Sequence, residues 1–210
     1  MSLRVTVKVC GITEERDAHE AVHLGVDALG FDFRPDSPRY VEPELVRSIV
    51  DRVPSFVTIV GVFADTPLIR VMDTVRAAGI TLIQFHGGES PATCLAVAPH
   101  RWIKALRVGP DFEPEQMSLY PSTTYLLDAR REKGSDAPAF EWRKARAWSA
   151  YGRLVLSADF ELGHVGMLIE DARPYGLDVL SEVEVAPGKK DLDRLELLID
   201  AVRRAERRMS

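Results

Sequence analysis

The chain has 210 residues, of which 46% are hydrophobic and 28% charged, with a formal net charge of -5. That balance suits a water-soluble protein with a sizeable core and argues against a nucleic-acid or acidic-membrane partner. Cys10 and Cys94 form no disulfide framework, no apolar run reaches membrane-spanning length, and no N-terminal stretch has a signal-peptide core, so a cytoplasmic location is expected.

Val5, Val7 and Val9 alternate as in a strand, and the run stops at Cys10 and Gly11, where the backbone turns freely. Thr13 then reads as a helix N-cap ahead of Glu14, Glu15 and Arg16. A thiol at a strand tip beside a helix start sits where a thiolate is stabilised; the competing reading is a small buried hydrophobe. Further strand-like runs follow at 28–33, 57–63, 81–85, 102–106, 124–128, 154–157 and 177–181. Helical periodicity fills 15–24, 43–53, 67–78, 91–98, 141–151, 162–172 and 192–207. Pro110, Pro114 and Pro121 leave room for only a short helix after the fifth strand. In the last stretch Leu195, Leu198, Ile199 and Val202 form one apolar face. Arg203, Arg204, Arg207 and Arg208 place cations at its C-terminal end.

Strand–helix alternation implies parallel pairing with right-handed crossovers. Eight such units, with no linker or low-complexity segment between them, predict one closed (β/α)8 barrel domain spanning 1–210. An open doubly wound sheet would need a glycine-rich dinucleotide fingerprint after the first strand, and Gly11-Ile12-Thr13-Glu14-Glu15 is not one. In such barrels chemistry gathers at the C-terminal strand ends. Here those ends carry Cys10, Arg39, Asp65, His86, Arg107, Asp128, Ser157, Asp159 and Ser181 to Glu184.

Six motifs stand in order along nearly the whole chain. They are Lys8-Val9-Cys10-Gly11-Ile12-Thr13; Gly30-Phe31-Asp32-Phe33 with Ser37-Pro38-Arg39-Tyr40-Val41; Val60-Gly61-Val62-Phe63; Gln84-Phe85-His86-Gly87; Leu126-Leu127-Asp128; and Pro187-Gly188-Lys189-Lys190-Asp191. Together they resemble the phosphoribosylanthranilate isomerase family. The resemblance implies a single barrel, no metal and no organic cofactor. It also implies an Amadori rearrangement in tryptophan biosynthesis, turning an N-linked phosphoribosyl aldose into a ketose. The matching positions make Asp128 the general acid and Cys10 the general base, with Arg39 holding the anthranilate carboxylate. The chemistry agrees: ring opening needs an acid and removal of the neighbouring carbon-bound proton needs a base. His86 is expected to bind substrate by fixing loop geometry. The partners expected are a small-molecule substrate and at most a second copy of the chain, as monomer or homodimer.

The loops that would carry phosphate depart from the family. A glycine-rich run after strand six becomes Gly134-Ser135-Asp136-Ala137, an Ala-Gly-Gly after strand seven becomes Ser157-Ala158-Asp159, and a Ser-Ser-Gly after strand eight becomes Leu180-Ser181-Glu182. Ala158, Asp159, Ser181 and Glu182 are therefore the phosphate-loop positions under question. Each acid about 4 Å from a phosphate charge costs roughly 1 to 4 kcal/mol. Two alternatives follow: a paralogue with the same acid–base pair and an unphosphorylated substrate, or a non-catalytic binding barrel. Asp32 interrupts the second strand and needs a partner such as Lys8 or Arg34 if it faces inward. His19-Glu20-Ala21-Val22-His23 fits H-E-x-x-H, but no third histidine follows and the stretch belongs to the first outer helix.

Overall fold

The structure, a computed structural model, describes residues 4–109, 111–129 and 141–209. Its barrel alternates β1 (Thr6–Val9), α1 (Glu15–His23), β2 (Ala28–Asp32), α2 (Pro43–Val50), β3 (Thr58–Phe63), α3 (Leu68–Ala78), β4 (Leu82–Phe85), α4 (Pro91–Leu95), β5 (Arg101–Arg107), β6 (Thr124–Asp128), α5 (Trp142–Trp148), β7 (Arg153–Ser157), α6 (Val165–Ala172) and β8 (Gly176–Val179). A small antiparallel pair follows, β9 (Glu184–Ala186) with β10 (Lys189–Lys190), and then the long α7 (Leu192–Arg208).

The eight strands pair in chain order, all in parallel, and the ring closes between β8 and β1. Thr6 stands opposite Gly176, Lys8 opposite Asp178 and Val9 opposite Val179. This is the expected (β/α)8 barrel. Strand side chains alternate between two environments. Val7, Val9, Leu29, Phe31, Ile83, Phe85, Leu127 and Leu156 turn outward into the layer between sheet and helices, where they join Val46, Val71, Ile169, Leu195, Leu198 and Val202. The other set, Lys8, Gln84, Asp128, Ser157 and Asp178 among them, lines the interior and is polar yet buried.

Three local expectations are corrected by the geometry, and one is met. Thr13 does not cap α1. Glu14 holds the N-cap position without a side-chain bond, and Thr13 Oγ1 instead donates to the Gly188 carbonyl at 2.6 Å. The eighth strand ends at Val179, because Leu180 leaves extended geometry (φ -139°, ψ -92°) and a 3-10 turn begins at Ser181. The helix expected over 91–98 is only α4, started by the Ser90 hydroxyl on the Thr93 N–H and ended at Leu95. Between β5 and β6 the prolines leave a 3-10 turn, Pro114–Leu119. Among the described residues no helix is long and apolar enough to cross a membrane.

The apolar face of α7 seals the barrel beside α6 and α1. Leu195, Leu198 and Val202 are fully buried there, as the periodicity of the stretch predicts. Truncating Leu198 to alanine leaves a cavity at that seam. Urea unfolding of Leu198→Ala is expected to show a loss of about 2–5 kcal/mol.

Candidate active site

The C-terminal mouth is built in two halves. The first forms where β1 meets β8. Cys10 donates its backbone N–H to Val179 at 2.8 Å, and Ile12 donates to Gly30 at 3.0 Å, so the chain turns sharply between them. Gly11 makes that turn at φ +70°; a side chain there would meet Arg39 Cδ at 2.6 Å and Leu180 Cδ1 at 2.8 Å, so glycine is required twice over. The Cys10 thiol is free and buried, on the same inward face as Lys8. Beneath it Lys8 Nζ donates to Asp178 Oδ1 at 2.6 Å. Burial opposes the charge on Lys8, but Asp178 and Cys10 beside it prevail and hold its pKa above the ordinary lysine value.

Above Cys10 lies the β9–β10 hairpin. Lys190 Nζ donates to the Cys10 carbonyl at 2.6 Å and to Glu184 Oε1 at 2.7 Å, while its backbone N–H is taken by Asp17 of α1 at 2.8 Å. Glu184 also receives Arg39 in a forked contact, Nε at 3.0 and 3.1 Å and Nη2 at 2.6 Å. Burial would raise the Glu184 pKa, but Arg39 and Lys190 hold it below the ordinary carboxylate value. Arg39 is thus pre-positioned by an acid 145 residues away, and its Nη1 makes no hydrogen bond among the described residues. Asp32 faces inward, and the open choice of partner resolves to Arg34, which grips it through Nε at 2.8 Å and Nη2 at 2.6 Å, with Ser37 Oγ at 2.7 Å. Burial raises the Asp32 pKa less than Arg34 and Ser37 lower it.

The second half spans β4 to β6. Asp128 ends β6 on the inner face, with its Oδ2 3.2 Å from His86 Nε2 and 3.8 Å from Arg107 Nη1. His86 Nδ1 lies 2.9 Å from Gln84 Nε2, so the ring is set between a buried amide and the acid. His86 therefore does more than shape its loop: it touches Asp128. The loop itself is clamped from outside by Lys104, fully buried, which donates to Gly87 O at 2.5 Å and Glu89 at 3.1 Å. Glu89 in turn accepts the N–H groups of Asp65 and Gly87 at 2.9 and 3.0 Å. Lys8, Gln84, Lys104, Glu184 and Lys190 were not anticipated as site residues. The Lys190 motif at least was visible as a repeated basic pair after Gly188.

The phosphate-loop positions follow the ends of the neighbouring strands β7 and β8 and differ in exposure. Ala158 is buried and Asp159 exposed, while Ser181 is exposed and the Glu182 carboxylate accepts the Leu180 N–H at 2.8 Å. Asp136 and its neighbours lie outside the described residues. His19 of the H-E-x-x-H stretch is half exposed, 3.9 Å from Glu15, and no group of three or more His, Cys, Asp or Glu among the described residues is arranged to hold a metal ion.

A closed parallel barrel with buried titratable groups at its C-terminal mouth defines the (β/α)8-barrel enzyme class. Within that class the N-(5'phosphoribosyl)anthranilate isomerase family profile matches residues 7–201. The protein of that name from Pelobacter propionicus is 40% identical over 197 residues, covering 93% of this chain and 94% of its own. The phosphoribosyl anthranilate isomerase structure from Thermotoga maritima superposes with a TM-score of 0.88 at 34% identity, covering 95% of this chain and 99% of that one. A phosphoribosyl anthranilate isomerase in complex with reduced 1-(o-carboxyphenylamino)-1-deoxyribulose 5-phosphate gives 0.86 at 33% identity, with the same coverage. The chain belongs to the N-(5'-phosphoribosyl)anthranilate isomerase family.

Because Asp32 and Glu184 titrate lower in the fold than in the unfolded chain, the stability they contribute is complete above about pH 4.5 and lost as the pH falls through their lowered values. Urea midpoints measured down that range are expected to fall more gently for Asp32→Asn and Glu184→Gln than for the unmodified protein.

Proposed function

We propose that the chain isomerises N-(5'-phosphoribosyl)anthranilate to the corresponding 1-deoxyketose in tryptophan biosynthesis, with Asp128 as general acid and Cys10 as general base. The observation that carries this reading is that both side chains, from β6 and β1, belong to the inner face of one barrel mouth. Asp128 gives its proton to the furanose ring oxygen as the C1–O bond breaks, and the nitrogen lone pair forms the C1–N double bond of an iminium. Cys10 then removes the proton from C2, and those electrons become the C1–C2 double bond of an enolamine while the iminium is neutralised. Tautomerisation of that enol yields the ketone.

The surrounding groups fit these two steps. His86 stands between Gln84 Nε2, which faces its Nδ1, and Asp128 Oδ2, which faces its Nε2, and so orients the carboxyl that delivers the proton. Arg39 keeps Nη1 for the aryl carboxylate while Glu184 fixes the rest of its fork. Lys104 and Glu89 hold the His86 loop at the height of Asp128. No cofactor is required by this sequence of proton transfers.

Fluorescence loss from anthranilate conjugate generated in situ measures the turnover. The unmodified protein is expected to turn over, and Asp128→Asn and Cys10→Ser to lose about 10²- to 10⁴-fold in kcat with intact folding. Turnover unaffected by either substitution would remove the mechanism.

The Glu182 contact favours a second reading. Its carboxylate takes the Leu180 N–H, one of the backbone donors available after β8 to close on a phosphate. On this reading the acid–base pair acts on an unphosphorylated N-glycosylamine. Glu182→Ser separates the two: a KM for the phosphorylated substrate lowered about tenfold or more favours the first. Turnover confined to the dephosphorylated substrate favours the second.

A further inference from the structure

A general acid that delivers its proton leaves a carboxylate behind. Asp128 is only 7% exposed, so the charge formed on it is largely cut off from water. The strand beside it supplies a counter-charge. Arg107 is the last residue of β5, and the parallel register sets it directly opposite Asp128 on β6. The Val108 N–H, donated to the Asp128 carbonyl at 2.9 Å, holds that register to the rim.

Arg107 Nη1 lies 3.8 Å from Asp128 Oδ2, the oxygen that His86 Nε2 approaches to 3.2 Å. This is an ion-pair distance and not a hydrogen bond, and the arginine side chain is 55% exposed. Water over the open mouth therefore screens the pair, and a substrate seated there displaces that water. The neighbouring charges are committed elsewhere. On β7 Ser157 stands opposite Asp128 but turns its hydroxyl to Asp178, and Asp178 on β8 is held by Lys8. Lys104, on the outer side of β5, is held by Glu89 and the Gly87 carbonyl. Asp159, past the end of β7, is an exposed acid, and His86 is a cation only when protonated. Arg107 is a permanent cation within reach of the acid.

We propose that Arg107 is a positioning residue that takes up the negative charge left on Asp128 when the proton passes to the furanose ring oxygen. The bound substrate strengthens the contact by excluding water. The proposal rests on the reading of Asp128 as general acid and adds the group that makes its proton leave. A guanidinium beside a carboxyl favours the ionised form. Removing it makes Asp128 keep its proton to higher pH and release it less readily.

The test follows the Asp128 carboxyl carbon by 13C NMR against pH, its signal assigned by loss in Asp128→Asn, beside the pH profiles of kcat and kcat/KM. In Arg107→Gln the titration midpoint is expected to rise by at least about half a pH unit, and the rise to shrink in roughly 0.5 M salt. Turnover is expected to fall about tenfold or more in kcat. The alkaline limb of kcat, which reports the substrate-bound protein, is expected to move further than that of kcat/KM. Arg107→Lys keeps the charge and is expected to restore most of both midpoint and rate. A midpoint unmoved or lowered in Arg107→Gln, or displaced as far in Arg107→Lys, overturns the proposal; a merely structural arginine would cost activity and leave the limbs in place. The two readings fail separately. Asp128→Asn turning over at the unmodified rate removes the general acid itself, whereas an inactive Asp128→Asn with an unmoved midpoint in Arg107→Gln removes the role of Arg107 alone.

Discussion

Closure of β1 on β8 is the constraint from which the site is built. The register that places Thr6 opposite Gly176 also places Lys8 opposite Asp178, both inward and both buried. A one-residue slip would turn each of them outward into the apolar layer, where neither charge has a partner. The same register brings Val179 to the Cys10 N–H and sets the height of the thiol. Buried pairs of this kind contribute little net stability, because desolvation offsets most of the attraction. What Lys8–Asp178 and Lys190–Glu184 supply is placement.

Placement by charge recurs around the mouth. Glu184 belongs to a hairpin far from Arg39 in sequence, yet it fixes two of the three guanidinium nitrogens and leaves the third. Lys104 lies on the outer side of β5, yet through Glu89 and Gly87 it holds the loop that presents His86. Asp32 and Arg34 neutralise each other at the end of β2 and keep that rim from adding charge to the thiol side. The reacting groups are few, and the groups that hold them are many.

The legible part of this design was local. Alternating valines, apolar runs and the 3.6-residue period of the last stretch located eight strands and α7, since those patterns follow from one element facing one core. Cys10 and Asp128 stood out because each closes a strand in a barrel whose chemistry sits at strand ends. What stayed hidden was decided over long separations. Thr13 had the form of a cap, but a carbonyl 175 residues away competes for its hydroxyl. Glu184 and Lys190 were given no role of their own because the β9–β10 pair that buries them, three residues against two, is too short to have a pattern. Asp32 read as an anomaly until Arg34 and Ser37 were seen to fold back on it.

The most direct test of the account is the pH profile of kcat/KM for phosphoribosylanthranilate in the unmodified protein, Asp128→Asn and Cys10→Ser. A thiolate base and a carboxylic acid working in sequence give a bell-shaped profile. The account predicts that Cys10→Ser abolishes the acidic limb and Asp128→Asn the alkaline limb of whatever activity remains. A bell unchanged in both variants would mean that other groups move the protons, and the assignment of this mouth's two halves to base and acid would be wrong.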